Sequence, residues 1–303
     1  MGVAYAANIG GVATLIGTPP NFVLRNFIEK SFAFQIPFHS WLLIGIPFSA
    51  LFLVICYFVL VKFIYPNKMG EIKGSEKVVD EELKKMGKLS YEEKWVAVLF
   101  FLTALCWVFS KKIQAAFPMI FINDTIIALI FAFVLFIIPS SNLKTKRLLV
   151  WKDMKNLPWG ILLLFGGGLS LANAMKTTGI INIIGEVVNQ YQNWSSLLIV
   201  FVLITLVLFM TEVMSNVALI TILLPVIAGI ADGTGVEPLL VCIPVTIASS
   251  CAFMLPMATP PNAIVFASGY IKVSQMVKVG VVLNIIAVLL LIILYKFIVS
   301  IVF

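Results

Sequence analysis

Charge is scarce in this 303-residue chain: 12% of its residues are Asp, Glu, Lys or Arg, against 61% hydrophobic, and its mean hydropathy is +1.08. A soluble domain of this length could not keep its surface solvated with so few charges. Histidine occurs once, as His39, which gives no basis for a His-based triad or a zinc site. Beside Trp41, at the start of an apolar stretch, it suits a membrane-interface position. The four cysteines (Cys56, Cys106, Cys242, Cys251) lie in apolar stretches without C-x-x-C spacing. They read as small buried hydrophobes, not as disulfides or metal ligands. The first residues lack the basic region of a signal peptide, and Gly10-Gly11 and Pro19-Pro20 interrupt what would be its apolar core. No motif supports an enzyme.

What the chain has is long uncharged runs. Met1–Leu24, Ser40–Val61, Trp95–Ser110, Thr125–Leu143, Asn156–Met175, Val187–Thr211, Val213–Ala231, Pro238–Ile271 and Val279–Tyr295 carry no charge. A bilayer core takes about 20 apolar residues per helix, so the expected fold is an all-α polytopic membrane protein in the plasma (inner) membrane. The net charge of +7 does not point to nucleic acid. Eight Lys lie between Lys62 and Lys94 and five Lys/Arg between Lys144 and Lys155. The positive-inside rule accounts for that clustering if loops 66–93 and 140–157 are cytoplasmic and the C-terminus is outside.

Thr-Pro-Pro-Asn occurs twice, at Thr18–Asn21 and Thr259–Asn262, 241 residues apart and each inside an uncharged run. Paired prolines leave carbonyls a turn earlier (Leu15 and Ile16, Pro256 and Met257) without helical partners. Such backbone survives at membrane depth only inside protein or along a polar cavity, and matched breaks in two halves of a chain point to a transporter's binding site. The 38 residues from Trp194 to Ala231 would make a single helix about 57 Å long, which overshoots a bilayer. A re-entrant hairpin over about 195–231, with Ser215-Asn216 at its tip, fits better. Glu212, beside that tip, is the one ionisable residue among these apolar arms, and is either a functional carboxylate, such as a proton carrier, or a structural one that bonds exposed backbone. Gly166-Gly167-Gly168 suits close helix packing and lacks the strand of a phosphate loop. Ile180–Tyr191 suits an interfacial helix.

Four segments together resemble the divalent anion:sodium symporter family: Asn8-Ile9-Gly10-Gly11 through Asn21, Trp159-Gly160 to Gly168, Thr211-Glu212-x-x-Ser215-Asn216, and Ser249 through Val265. The resemblance implies inverted repeats with re-entrant hairpins and Pro-broken helices, an elevator-type sodium-coupled carrier of dicarboxylate, citrate or sulfate, and a homodimer. It implies no cofactor and no metal other than sodium as the coupling ion. Mapped onto this chain, Thr211, Ser215, Asn216 and the backbone of Ala258 would hold one sodium, with the Gly17 carbonyl facing a second. Ser215, Asn216, Val217, Thr259 and Pro260 would contact the anion from one side, and Thr18 and Pro19 from the other. The motifs offer no Lys or Arg, so sodium would neutralise the anion. Where the family has Ser-Asn-Thr at the tip, this chain has Ser215-Asn216-Val217, one hydroxyl fewer.

The expected domains are 1–65, the C-terminal part of the first repeat; 66–93, a charged linker; and 94–303, a complete second repeat with its broken helix at about 238–268 and its last span at about 276–302. Asn216 precedes Thr259 by 43 residues. The same spacing in the first repeat would fall before Met1, so the first repeat is expected to be incomplete, through truncation or a mis-called start in preference to a split subunit. The alternatives are a proton-coupled or uncoupled anion permease, and an inactive fragment.

Overall fold

The computed structural model describes residues 1–66, 75–116, 123–141, 146–156, 159–180, 183, 195–299 and 302. These form α-helices joined by turns, with no β-strand among the described residues. The helices are α1 (Gly2–Val12), α2 (Pro19–Phe32), α3 (Phe38–Phe58), α4 (Ser75–Met86), α5 (Tyr91–Val108), α6 (Ser110–Ala116), α7 (Asp124–Ile137), α8 (Trp159–Thr177), α9 (Ser196–Met210), α10 (Asn216–Gly233), α11 (Pro238–Ser249), α12 (Pro260–Ala267) and α13 (Val273–Leu294). Phe38–Ile64, Asn216–Gly233 and Val273–Phe297 are each long and apolar enough to cross a membrane. Large hydrophobic side chains such as Leu43, Leu51, Ile285 and Leu289 face outward. That surface needs hydrocarbon around it, and the protein is an all-α, multi-pass membrane protein. The interfacial helix expected at Ile180–Tyr191 lies outside the described residues except for Ile180 and Ile183.

The chain divides into two compact units, Lys68–Pro158 and the combination of Met1–Asn67 with Trp159–Phe303. In the smaller one, α5 starts four residues earlier than the uncharged run Trp95–Ser110. Ser90 forms a capping box with Glu93, and the carboxylates of Glu92 and Glu93 sit in the first turn, where the helix dipole favours them. Glu92 Oε1 accepts from Ser140 Oγ at 2.9 Å and from Ser141 N and Oγ at 2.7 and 2.6 Å, tying the end of α7 to the start of α5.

The larger unit contains both motifs. α1 and α2 are two halves of one broken helix, and α11 and α12 are the halves of another. None of the four exceeds 14 residues, or about 21 Å, so none spans a bilayer alone. The local cause is the motif itself. A residue before proline is pushed out of the α region, and Thr18 (φ −142°, ψ 141°) and Thr259 (φ −142°, ψ 152°) are accordingly extended. The prolines then occupy the first turn of α2 and α12, where a missing N–H costs nothing. They restart the helix, so the break lies before them, at 13–18 and 250–259. The carbonyls of residues 15, 16, 256 and 257 take no backbone hydrogen bond from the described residues.

The two breaks are packed alike. α1 lies against α12 and α2 against α11, so each leading half-helix meets the other break's trailing half. A glycine on the next helix buttresses each break: a methyl at Gly45 of α3 would sit 2.6 Å from the Ala13 carbonyl oxygen, and one at Gly280 of α13 would sit 2.5 Å from Met254 Cα. Ala13 and Met254 are themselves 241 residues apart. Four residues beyond each glycine a polar side chain reaches inward, Ser49 to the Ile9 carbonyl at 2.9 Å and Asn284 to Glu212 Oε1 at 2.7 Å. Phe253 fills the second break, edge-on to Tyr5 at 5.4 Å and to Phe52 at 5.5 Å.

The uncharged run Met1–Leu24 stops in mid-helix: α2 runs on to Phe32 and Arg25 is buried, 6% exposed. Asn21, Leu24, Arg25 and Ile28 recur at helical spacing on its buried face, so the position of Arg25 follows from the register of its neighbours.

Candidate functional site

The two breaks open onto one cavity of about 540 Å³, a size suited to a small molecule. Asn8, Gly11, Gly17, Thr18 and Pro19 line it from the first broken helix, and Ser250, Ala258, Thr259, Pro260 and Pro261 from the second. Ser215 lines it from the turn before α10, Asn216 and Val217 from the first turn of α10, and Gly160 from the start of α8. Every described residue in this lining is uncharged. Nine residues singled out from the sequence therefore share one cavity: Gly17, Thr18, Pro19, Ser215, Asn216, Val217, Ala258, Thr259 and Pro260. Thr211 and Glu212 are buried, 0% and 3% exposed, and are not part of the lining.

Thr211 caps the end of α9, and its Oγ1 lies 2.7 Å from both Asn216 Oδ1 and the Ser249 carbonyl oxygen. A threonine hydroxyl has one proton, so it can donate to only one of these two acceptors at a time. Three oxygens thus converge with one hydrogen among them. Such a cluster is poorly satisfied alone and suits a hard cation, which takes carbonyl, amide and hydroxyl oxygens. On the first broken helix, Gly17 is held tightly. A methyl there would sit 2.3 Å from the Gly11 carbonyl oxygen, which only glycine avoids.

Glu212 has a different environment. Its Oε1 accepts from the Phe253 and Met254 N–H groups at 2.9 and 3.0 Å and from Asn284 Nδ2 at 2.7 Å; its Oε2 accepts from Met254 and Leu255 N–H at 3.1 Å. Three successive backbone donors, freed by the break in α11–α12, converge on one acceptor-only group. The carboxylate is thereby a cap for the unwound segment. Its place in the sequence allowed a proton carrier and a structural group equally, and in the structure it faces these backbone donors and Asn284.

Several residues at the site escaped sequence reasoning. Asn8 Nδ2 approaches Thr259 Oγ1 at 3.0 Å, Asn262 Oδ1 at 3.3 Å and the Ala252 carbonyl at 3.4 Å. Asn21 and Asn262 each return a side-chain N–H to the carbonyl seven residues earlier, Thr14 at 2.9 Å and Leu255 at 3.2 Å, closing the two breaks in the same way. The recurrence of Asn in both motifs was the available signal. Asn8 opens one of the four segments that carry the resemblance, but neither its contacts nor those of Gly280 and Asn284 could be read there, because they depend on segments far apart in sequence.

Two Pro-restarted half-helices and an oxygen-rich turn thus surround an uncharged cavity inside an all-α membrane unit, and matched helix breaks at one cavity are the architecture of the broken-helix class of membrane proteins. Residues 1–302 match the family described as the sodium:sulfate symporter transmembrane region. The chain belongs to that family, the divalent anion:sodium symporters that its motifs resemble. It is 36% identical over 302 residues to the sodium-dependent dicarboxylate transporter SdcS of Staphylococcus saprophyticus, covering 99% of this chain and 58% of that protein. It is 38% identical over 304 residues to SdcS of Staphylococcus aureus strain USA300, covering 100% of this chain and 58% of that protein. The chain thus spans somewhat over half the length of these relatives.

Proposed function

We propose that the protein containing this chain is a sodium-coupled secondary carrier of a divalent anion, a dicarboxylate or sulfate, and not an enzyme. The supporting observation is the pairing of an uncharged cavity with the three-oxygen cluster of Thr211, Asn216 and Ser249 at its edge. A doubly charged anion entering a cavity without Lys or Arg is desolvated with no counter-charge. Sodium ions at its rim would supply that charge, so anion affinity would depend on sodium. Thr211, Ser215, Asn216 and the Ala258 backbone would hold one ion and the Gly17 carbonyl would face another. Ser215, Asn216, Val217, Thr259 and Pro260 would meet the anion opposite Thr18 and Pro19. The relatives' name, sodium-dependent dicarboxylate transporter, supports the same reading.

The exchange of half-helices between breaks, and the matching buttresses Gly45 and Gly280, support a pair of inverted repeats with a re-entrant hairpin over about 195–231. All the proposed site residues belong to one compact unit, as an elevator carrier in a homodimer requires. Loops 66–93 and 140–157 would face the cytoplasm at the plasma membrane, with the C-terminus outside, by the placement of their Lys and Arg.

The test is uptake of radiolabelled succinate and sulfate into proteoliposomes carrying the full-length protein, with sodium or choline outside. Uptake driven by a sodium gradient, lost with Asn216→Ala and weakened with Thr259→Val, is expected. Uptake that ignores sodium and follows a pH gradient through Glu212 would overturn the proposal in favour of a proton-coupled permease.

A further inference from the structure

The side chain of Asn8 does more than fill the wall of the cavity. The orientation of its amide is set by a chain of partners. Asn262 Nδ2 donates to the carbonyls of Ala252 and Leu255, at 3.0 and 3.2 Å, so its Oδ1 faces Asn8 as an acceptor at 3.3 Å. Asn8 must therefore present its N–H₂ to this corner. The same Nδ2 lies 3.0 Å from Thr259 Oγ1. Thr259, as the N-cap of α12, also accepts from the Asn262 backbone N–H at 3.4 Å. A hydroxyl has two lone pairs and one proton. With both lone pairs facing donors, the proton is what the Thr259 hydroxyl has left to offer, and Thr259 lines the cavity.

We infer that Asn8 is a positioning residue that makes the Thr259 hydroxyl an obligate donor into the cavity, so that this wall accepts an ionised ligand oxygen and rejects a ligand that must donate there. The inference rests on the cavity holding an anion, as proposed above. It also separates the two motifs chemically. Thr18 has nearly the same backbone as Thr259, but its side chain makes no cap hydrogen bond. The residue 241 positions after Asn8 is Ser249, whose Oγ turns away to the Thr246 carbonyl at 2.7 Å. The breaks match in backbone, but donor polarity is built into the second.

The experiment is a double-mutant cycle in the full-length protein in proteoliposomes, reading the half-saturating concentration of succinate, or of sulfate if that is the anion taken up, at saturating sodium. Thr259→Val keeps the shape and deletes the hydroxyl, and should raise that concentration at least about tenfold, as loss of one bond to a charged acceptor does. Asn8→Ala alone should raise it severalfold while leaving half-saturating sodium unchanged. In the Thr259→Val background, Asn8→Ala should add less than about a twofold change, because its action runs through a hydroxyl no longer present. Full additivity of the two substitutions, or an unchanged affinity in Asn8→Ala, overturns the inference. An unchanged affinity in Thr259→Val instead overturns the anion cavity itself. Should Asn8→Ala fail to assemble, Asn8→Ser, which keeps a small donor, runs through the same cycle and is expected to fall between wild type and Asn8→Ala.

Discussion

Replacing Gly280 by alanine tests how the second break is held open. The added methyl would lie 2.5 Å from Met254 Cα and 2.6 Å from both Met254 N and the Phe253 carbonyl carbon. Carbon atoms settle at about 3.5–4.0 Å, so α13 and the unwound segment must separate by about 1 Å. All three atoms are backbone, and this backbone is tethered: Phe253 and Met254 donate to Glu212 at 2.9 and 3.0 Å. Moving them by that distance takes at least one of these bonds out of range. Overpacking costs about 1–3 kcal/mol and a lost bond to a charged acceptor about 1.5–3 kcal/mol, so a destabilisation of about 2.5–6 kcal/mol is expected. The measurement is unfolding of the purified full-length protein in mixed micelles, titrated with SDS. Gly10→Ala is the control, since a methyl there meets nothing within 4 Å and should be neutral or mildly stabilising. If Gly280→Ala unfolds within about 0.5 kcal/mol of Gly10→Ala, the buttress argument is wrong.

Glu212→Gln replaces an acceptor-only group by one that turns an N–H₂ toward backbone donors. It should destabilise by about 1.5–3 kcal/mol or more in the same unfolding assay, and be strongly non-additive with Gly280→Ala because both act on Phe253–Leu255. Stable protein that has lost only the pH dependence of its transport would refute the capping role. In the smaller unit, the Glu92 carboxyl is held down from 4.5 to about 2, first by the Ser141 side chain, then by its own backbone N–H, then by Ser140. Its ionised form is favoured by folding, so the stabilisation is fully present above pH 4.5 and fades as pH falls toward about 2. Ser141→Ala should return the carboxyl toward its ordinary value in a ¹³C NMR titration of labelled glutamate, and an unmoved titration would contradict the assignment.

Much of this protein is legible in one dimension because the bilayer imposes one-dimensional rules. Hydrocarbon does not tolerate scattered charge, so composition alone separates membrane from soluble chains. Thr-Pro-Pro-Asn dictates a helix restart from local sterics, and its recurrence at an interval of 241 residues marks both breaks and, with them, Thr18, Pro19, Thr259 and Pro260 of the cavity lining, whereas Gly17, Ser215, Asn216, Val217 and Ala258 came with the family resemblance. Glu212, Asn8, Gly280 and Arg25 were not legible in the same way. Whether a buried carboxylate carries protons or caps backbone depends on which donors face it, and those facing Glu212 come from residues 253–255 and 284. Whether Thr259 donates or accepts is set by Asn8, which lies 251 residues away. Periodicity and motif fix where a helix stops, but the state of a polar atom at the stop is set by partners that only the folded chain brings within 3 Å.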